Sequence, residues 1–94
     1  MSIISTQAFE LVKSRLNRLA SDTSIDTLLL AMIVAAETEI TNESGALGNT
    51  DALDLMLLVD TAVWNYQSRD KATGMPEWLR YKRRQRFLRV RGAV

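Results

Sequence analysis

The chain contains neither cysteine nor histidine among its 94 residues. Without cysteine it can form no disulfide, no thiolate metal site and no cysteine nucleophile. Without histidine it lacks the usual general base near neutral pH and the commonest metal ligand, which excludes Ser-His-Asp triads and imidazole-based zinc sites. We therefore expect no catalytic site, no metal site and no cofactor.

Other signatures of enzymes are missing as well, because the chain has no glycine-rich phosphate loop and no nucleophile elbow. The remaining candidates for acid-base chemistry or metal binding are carboxylates. Glu37 and Glu39 lie two residues apart, so they face different sides of a helix and cannot share one ion. Asp51 and Asp54 are three apart and could share one, but the helix dipole already explains acids at a helix start. We expect a protein that is not an enzyme.

A long apolar run is also absent. The longest run covers residues 28–36 and is nine residues long, whereas a membrane-spanning helix needs roughly 20. Residues 1–5 lack the basic region and apolar stretch of a secretory signal. We therefore expect a soluble, cytoplasmic protein without a membrane partner.

The composition is otherwise that of a folded globular chain, with 47% apolar and 24% charged residues. Its length fits a single domain with one modest core. The apolar residues recur at the spacings of three and four that are typical of helices. The pattern predicts an all-α fold, a small bundle of three main helices plus a basic C-terminal helix or tail. Residues 1–75 would form the core, and 76–94 an arginine-rich segment of the same domain.

The first two helices are marked by polar capping residues. Ser5 or Thr6 is predicted to cap helix one, and Ser24 to cap a second helix that runs to about Ile40 or Thr41. The apolar stripe of helix one consists of Phe9, Val12, Leu16 and Leu19.

A third helix is predicted after the turn-rich loop, from Asn49 or Thr50 to about Asp70. Most of its circumference is apolar, which a domain of this size cannot easily bury. Two explanations remain open: other helices of the chain surround it, or a neighbouring subunit covers part of it. The residues expected in the core or at a subunit interface are Leu55, Leu58, Val59, Trp64 and Tyr66.

Pro76 and Glu77 can open a fourth helix at its first two positions. Cationic side chains then project in every direction on a helical wheel, while residues 86–92 also show partial period-two alternation, which leaves the conformation of the end open. We predict that these cations dock on a partner. They are Arg80, Lys82, Arg83, Arg84, Arg86, Arg89 and Arg91.

The net charge of +1 conceals a strong asymmetry. Residues 1–68 carry a net charge of −6 and residues 69–94 a net charge of +7. Such a distribution favours an oriented contact with an acidic partner. One candidate is nucleic acid, with Trp78, Tyr81 and Phe87 available for stacking on single strands. Another is the acidic body of a second copy, and a third alternative is a solvated tail with no specific partner.

The arrangement as a whole resembles the head-tail connector, head-completion or adaptor proteins of long-tailed bacteriophages and prophages. The resemblance spans roughly residues 8–92. It rests on the apolar helix 24–40, the turn-rich loop, a second long apolar helix, a Gly-x-Pro break at Gly74 and an arginine-rich end. The best local match is Tyr66-Gln-Ser-Arg69.

This resemblance implies a structural role in virion assembly and DNA packaging. Subunits would form a homo-oligomeric ring beneath the portal, extend the DNA channel and dock the tail. The implied partners are other copies, the portal protein and a tail-side connector or stopper protein, with non-specific contact to channel DNA. The implied location is the head-tail interface of the virion, and the host cytoplasm during assembly. The alternative function is a small nucleic-acid-binding protein that uses its basic C-terminal segment.

Overall fold

A computed structural model describes residues 3–17, 23–48, 50–69 and 74–92, and all regular structure within these ranges is helical. The described ranges hold four α-helices and a π-helical turn, Leu88–Gly92, that continues the last of them. These helices are α1 (Ile3–Arg15), α2 (Asp26–Ser44), α3 (Ala52–Gln67) and α4 (Glu77–Phe87). The expected all-α class is therefore confirmed. Within the described ranges, no helix has the length and apolar character needed to cross a membrane.

The hydrophobic core lies where α1, α2 and α3 meet. Helices α1 and α2 each contribute residues three or four apart, as expected for one buried stripe, whereas α3 is buried on all sides from Leu57 to Val63. Helix α4 contributes a single buried apolar residue, Leu79. Full burial of a large aliphatic side chain contributes about 1.5–3 kcal/mol to stability, so apolar packing from α4 is small compared with that from the other three helices. The other members are Ile4, Ala8, Val12, Leu29, Ile33, Ala36, Ile40, Leu57, Leu58, Val59, Ala62 and Val63.

Helices α1 and α4 each pack against both α2 and α3, so the α2–α3 pair lies between them. Two contacts show that α1 runs antiparallel to α2. The Ser5 hydroxyl donates to Glu37 at 2.7 Å near one end, and Lys13 pairs with Asp26 at 3.0 Å near the other. Helix α4 is packed on the body of the protein, which consists of α1, α2 and α3, through its contacts with α2 and α3.

The first two helices differ from the sequence prediction at their ends. Helix α1 begins at Ile3, and Ser5 is buried against α2 instead of serving as a cap. Helix α2 begins after Ile25, whose side chain makes no capping bond, so Ser24 is not the cap. The same helix continues to Ser44, because its polar last turn is held by contacts that are described below. Leu19 lies outside the described residues.

Helix α3 begins two or three residues later than predicted, since Asp51 is its N-cap and accepts hydrogen bonds from the amides of Leu53 and Asp54. The helix ends at Gln67, and both Asn49 and Asp70 lie outside the described residues. Pro76 is the N-cap of α4, one position before the one predicted for it. The C-terminal segment is helical as far as residue 92.

The residues predicted for the core or a subunit interface separate into two groups. Leu58 and Val59 are completely buried within the chain, so they belong to the core and cannot contact a neighbouring subunit. Leu55, Trp64 and Tyr66 are half-buried and pack against the edge of that core. The broad apolar circumference of α3 is thus explained mainly by the helices of the same chain.

Truncation of Leu58 should be much more destabilising than truncation of Leu53. Leu58 is 0% exposed and Leu53 is 62% exposed on the same helix. Leu58→Ala should lower the free energy of unfolding by about 2–5 kcal/mol, and Leu53→Ala by roughly 0.5 kcal/mol or less. Urea denaturation of both variants measures the difference. Equal losses would contradict the packing of α3.

Candidate functional site

The C-terminal helix is anchored by a buried guanidinium. Arg86 is 1% exposed and lies where the end of α2, the start of α3 and α4 converge. Its Nε donates to Asp54 Oδ1 at 2.8 Å, and its Nη2 donates to Asp54 Oδ2 at 3.2 Å. This two-pronged geometry matches the fork of the guanidinium to the carboxylate.

The remaining donors of Arg86 go to the end of α2 and the loop after it. Nη1 donates to Ser44 Oγ at 2.6 Å and to the Gly45 carbonyl at 3.0 Å, while Nη2 donates to the Ala46 carbonyl at 3.0 Å. The five N–H donors of the guanidinium are therefore all used. A side chain in this position is a structural element of the fold, and it is not available to a partner.

The local sequence explains why this cluster forms. The last carbonyl groups of a helix lack partners inside the helix and carry partial negative charge, so a cation at the end of α2 is favourable. Gly45 adopts a φ of 105°, a conformation that glycine accepts readily, and this turn exposes two carbonyl groups to Arg86. Asp51 caps α3 and thereby fixes the first turn, which contains Asp54.

Asp54 is the second centre of the cluster. Besides Arg86, its carboxylate accepts hydrogen bonds from the Gly48 amide at 2.9 Å and from Arg89 Nη2 at 3.1 Å. Burial by itself raises the pKa of Asp54, but the hydrogen bonds and the positive charges of Arg86 and Arg89 outweigh it. The net result is a pKa below the ordinary value of 3.8. The carboxylate is consequently charged throughout the neutral and mildly acidic range.

Two further cations of α4 are paired with acids of the body. Arg83 is 7% exposed and contacts Glu39 Oε1 at 2.5 Å and Glu43 Oε1 at 3.1 Å, both on α2. Burial lowers the pKa of Arg83, but these two carboxylates outweigh that effect and raise the pKa above its ordinary value. Lys82 pairs at 2.8 Å with Asp60 of α3.

The structure corrects the prediction that the whole cationic segment is available for docking. Lys82, Arg83, Arg86 and Arg89 form ion pairs within the chain. Because Arg83 and Arg86 are also buried, a docking role for these two is ruled out in the folded chain. Arg80 and Arg84 are exposed and form no ion pair with another described residue. The side chain of Arg91 lies outside the described residues.

A sequence signal for the inward-facing arginines was present. Leu79, Arg83 and Arg86 recur at spacings of four and three, which is the stripe that a helix presents to its neighbours. The acidic body and the basic segment are partners of each other within one chain. Because these ion pairs occupy several cations, fewer of them can contact the phosphates of a nucleic acid than the number of basic residues in the segment indicates.

Large apolar side chains nevertheless remain on the outside of the C-terminal segment. Tyr81 is the most exposed of them at 64%, and its neighbour Trp78 lies 5.4 Å from Lys82 Nζ, measured to the ring centroid. Trp78 and Tyr81 lie three positions apart and are therefore neighbours on the surface of α4. Large apolar side chains exposed together are typical of protein interaction sites. The exposed apolar residues of this segment are Trp78, Tyr81, Phe87, Leu88 and Val90.

Two grooves run along the sides of α4. The groove between α2 and α4 has a volume of about 690 Å³, and apolar atoms of Met75, Phe87 and Leu88 lie beside Arg80 and Arg84 in its wall. The groove between α3 and α4 is smaller, about 240 Å³. Its wall contains the exposed apolar residues Leu53, Met56 and Tyr81.

Comparison with known proteins identifies no relative, since no family model, no curated protein and no solved structure matches the chain. Within the described residues, no group of three or more acidic side chains is close enough together to hold a metal ion. The candidate functional site is the outer surface of α4 with its two grooves, because exposed apolar side chains lie there beside the unpaired Arg80 and Arg84.

Loss of the Arg86 side chain should destabilise the fold far more than loss of Arg84. Arg86→Ala leaves the buried Asp54 carboxylate and two carbonyl groups with fewer partners, and such a change costs about 3–5 kcal/mol. Arg84→Ala, on the same helix but exposed, should change the free energy of unfolding by less than about 0.5 kcal/mol. Urea denaturation tests the pair. A loss below about 1 kcal/mol for Arg86→Ala would show that the cluster does not hold the fold together.

The stability of the protein should fall in acid through Asp54. Because the folded-state pKa of Asp54 is lowered, its contribution is complete above the ordinary pKa of 3.8 and is lost as the pH falls through the lower folded-state value. Asp54→Asn should therefore flatten the decline of unfolding free energy as the pH falls below 3.8. Glu10→Gln, at an exposed position, is the control. An unchanged acid limb in Asp54→Asn would contradict this assignment.

Proposed function

We propose that the chain is a structural subunit that assembles with copies of itself and with partner proteins, in the manner of a phage head-tail connector. In this proposal, α1, α2 and α3 form a small helical bundle, and α4 presents the docking surface. The subunits form a ring beneath the portal, extend the DNA channel and receive the tail. No catalytic step is part of the role.

The observation that carries the proposal is the exposed apolar surface on a rigidly anchored helix. Helix α4 turns Arg83 and Arg86 inward to bind acids of the body, and it exposes Trp78 and Tyr81. Exposed aromatic residues on a pre-organised helix are suitable for a protein interface, because little conformational freedom is lost on binding. The identification of the partner as a portal depends on the sequence resemblance.

The nucleic-acid alternative has less support from the geometry. Non-specific binding to DNA strengthens with the number of phosphates that cations neutralise. Of the α4 cations, Arg80 and Arg84 are the ones that are exposed and without an ion pair to another described residue. Binding that depends steeply on salt would nevertheless favour this alternative, so a DNA duplex is included in the test.

Replacing the aromatic surface should prevent assembly without unfolding the chain. The double variant Trp78→Ser with Tyr81→Ser removes two exposed side chains, so the free energy of unfolding should change little, while rings and complexes with a portal should be lost. Sedimentation velocity and negative-stain microscopy, with and without portal rings, measure assembly. Val34→Ser removes an exposed apolar residue of α2 and is the control.

Closed rings of the wild-type chain, alone or on the portal, are the expected result. A chain that forms no ring under either condition would contradict the proposal. Monomers that bind a DNA duplex with a steep salt dependence would favour the nucleic-acid function instead.

A further inference from the structure

The ion pairs leave a small set of charges without a partner in the described part of the chain. On α4 these include Arg80 and Arg84, which lie on the side that faces the α2–α4 groove. Most carboxylates are committed to cations, caps or hydrogen bonds. Glu10 on α1 and Glu77 on α4 are exposed and form no ion pair with a described residue. Glu77 lies on the same helix as Arg80 and Arg84, whereas Glu10 lies on a different helix.

The α2–α4 groove combines positive charge with an apolar wall. Met75, Phe87 and Leu88 supply the apolar atoms, and Arg80 and Arg84 supply the charge. The opposite wall contains Glu39 and Glu43, but their charges are directed to Arg83. An occupant of complementary chemistry would therefore present one carboxylate between apolar side chains.

The outer face of α1 has this chemistry. Its two cations turn away from the face, since Lys13 pairs with Asp26 and Arg15 pairs with Asp60. The exposed side chains of this face are the polar Thr6, Gln7 and Ser14, the carboxylate of Glu10 and the apolar Ile3 and Leu11. Glu10 is thus the one carboxylate of α1, and exposed apolar residues lie on the same side of the helix. An amphipathic helix of this kind can lie in a groove and use a few side chains as anchors.

We propose that the α2–α4 groove binds the outer face of α1 from a second copy of this chain. Glu10 of one copy pairs with Arg80 and Arg84 of the next, since guanidinium groups bind carboxylates through charge-assisted hydrogen bonds. Ile3 and Leu11 pack on the apolar wall of the groove. This inference deepens the proposed function and rests on its self-assembly step.

The position of the two surfaces determines what kind of assembly results. The two surfaces that meet are different, since one is the outer face of α1 and the other is the α2–α4 groove. In the assembly that we propose, each copy offers α1 to one neighbour and the groove to another. Such a contact is heterologous, and repeated contacts of this kind close into a ring or continue as a filament. A two-fold dimer would instead make the same contact twice, so that both surfaces of each copy are occupied within the dimer.

Charge reversal of the full-length chain tests this interface. Glu10→Arg should cause loss of oligomers in sedimentation velocity, and so should the double variant Arg80→Glu with Arg84→Glu, because each places like charges together. The triple variant that combines these changes restores opposite charges and should recover assembly. Gln67→Arg, at an exposed site on α3 that belongs to neither face, should assemble like the wild type. Circular dichroism confirms that each variant is folded.

The outcomes separate this inference from the proposed function. Wild-type rings that persist in both charge-reversed variants, or a triple variant that fails to recover, would overturn the interface and leave the ring function standing. Filaments or small oligomers that the reversals abolish and the triple variant restores would support the interface and contradict the ring. A wild-type chain that remains monomeric at every concentration would overturn the interface, and portal binding would then decide the proposed function by itself.

Discussion

The rest of the structure depends on the burial of one guanidinium. A charged group removed from water costs several kcal/mol unless hydrogen bonds and an opposite charge compensate. Arg86 meets that requirement with all five donors, which join the end of α2, the following loop and Asp54 of α3. The loop must therefore present its carbonyl groups, α3 must begin at a position that directs Asp54 inward, and α4 must lie across both helices. Leu79 alone contributes buried apolar packing from α4, so the polar contacts determine where this helix lies.

This constraint changes the meaning of the charge distribution. In the sequence, an acidic body and a basic end indicate an external acidic partner. In the fold, cations of the C-terminal segment form ion pairs with four acids of the body, which are Glu39, Glu43, Asp54 and Asp60. The outer surface of α4 then carries exposed apolar residues and few unpaired charges. A neutralised helix with exposed aromatic residues is better suited to contacts with proteins than to tracking phosphates. The function that we propose follows from what α4 exposes, since two of its arginines, Arg83 and Arg86, are turned inward.

Helical periodicity was sufficient to predict the all-α class and part of the core. Val12 on the predicted stripe of helix one, and Leu58 and Val59 on the third helix, are buried, because apolar spacing of three and four determines one face of a helix. Helix ends were predicted less accurately, since the last turn of α2 is polar and is held by Arg86, a residue more than 40 positions away. For the same reason, the sequence did not reveal that Arg83 and Arg86 pair with acids of the same chain, which lie more than 30 positions away. A charged residue is usually exposed, so its charge favours a position at the surface. The spacing that Arg83 and Arg86 share with Leu79 was the one feature of the sequence that indicated burial.

The ion pair between Asp54 and Arg86 couples α4 to the body of the protein. A double-mutant cycle tests this coupling directly, using Asp54→Asn, Arg86→Gln, the double variant and the wild type, with the free energy of unfolding measured in urea. We expect a coupling energy of at least about 1 kcal/mol, because each single change leaves a buried partner unsatisfied. Effects that add to within about 0.3 kcal/mol would show that the two side chains act independently and that the pair does not hold α4 in place.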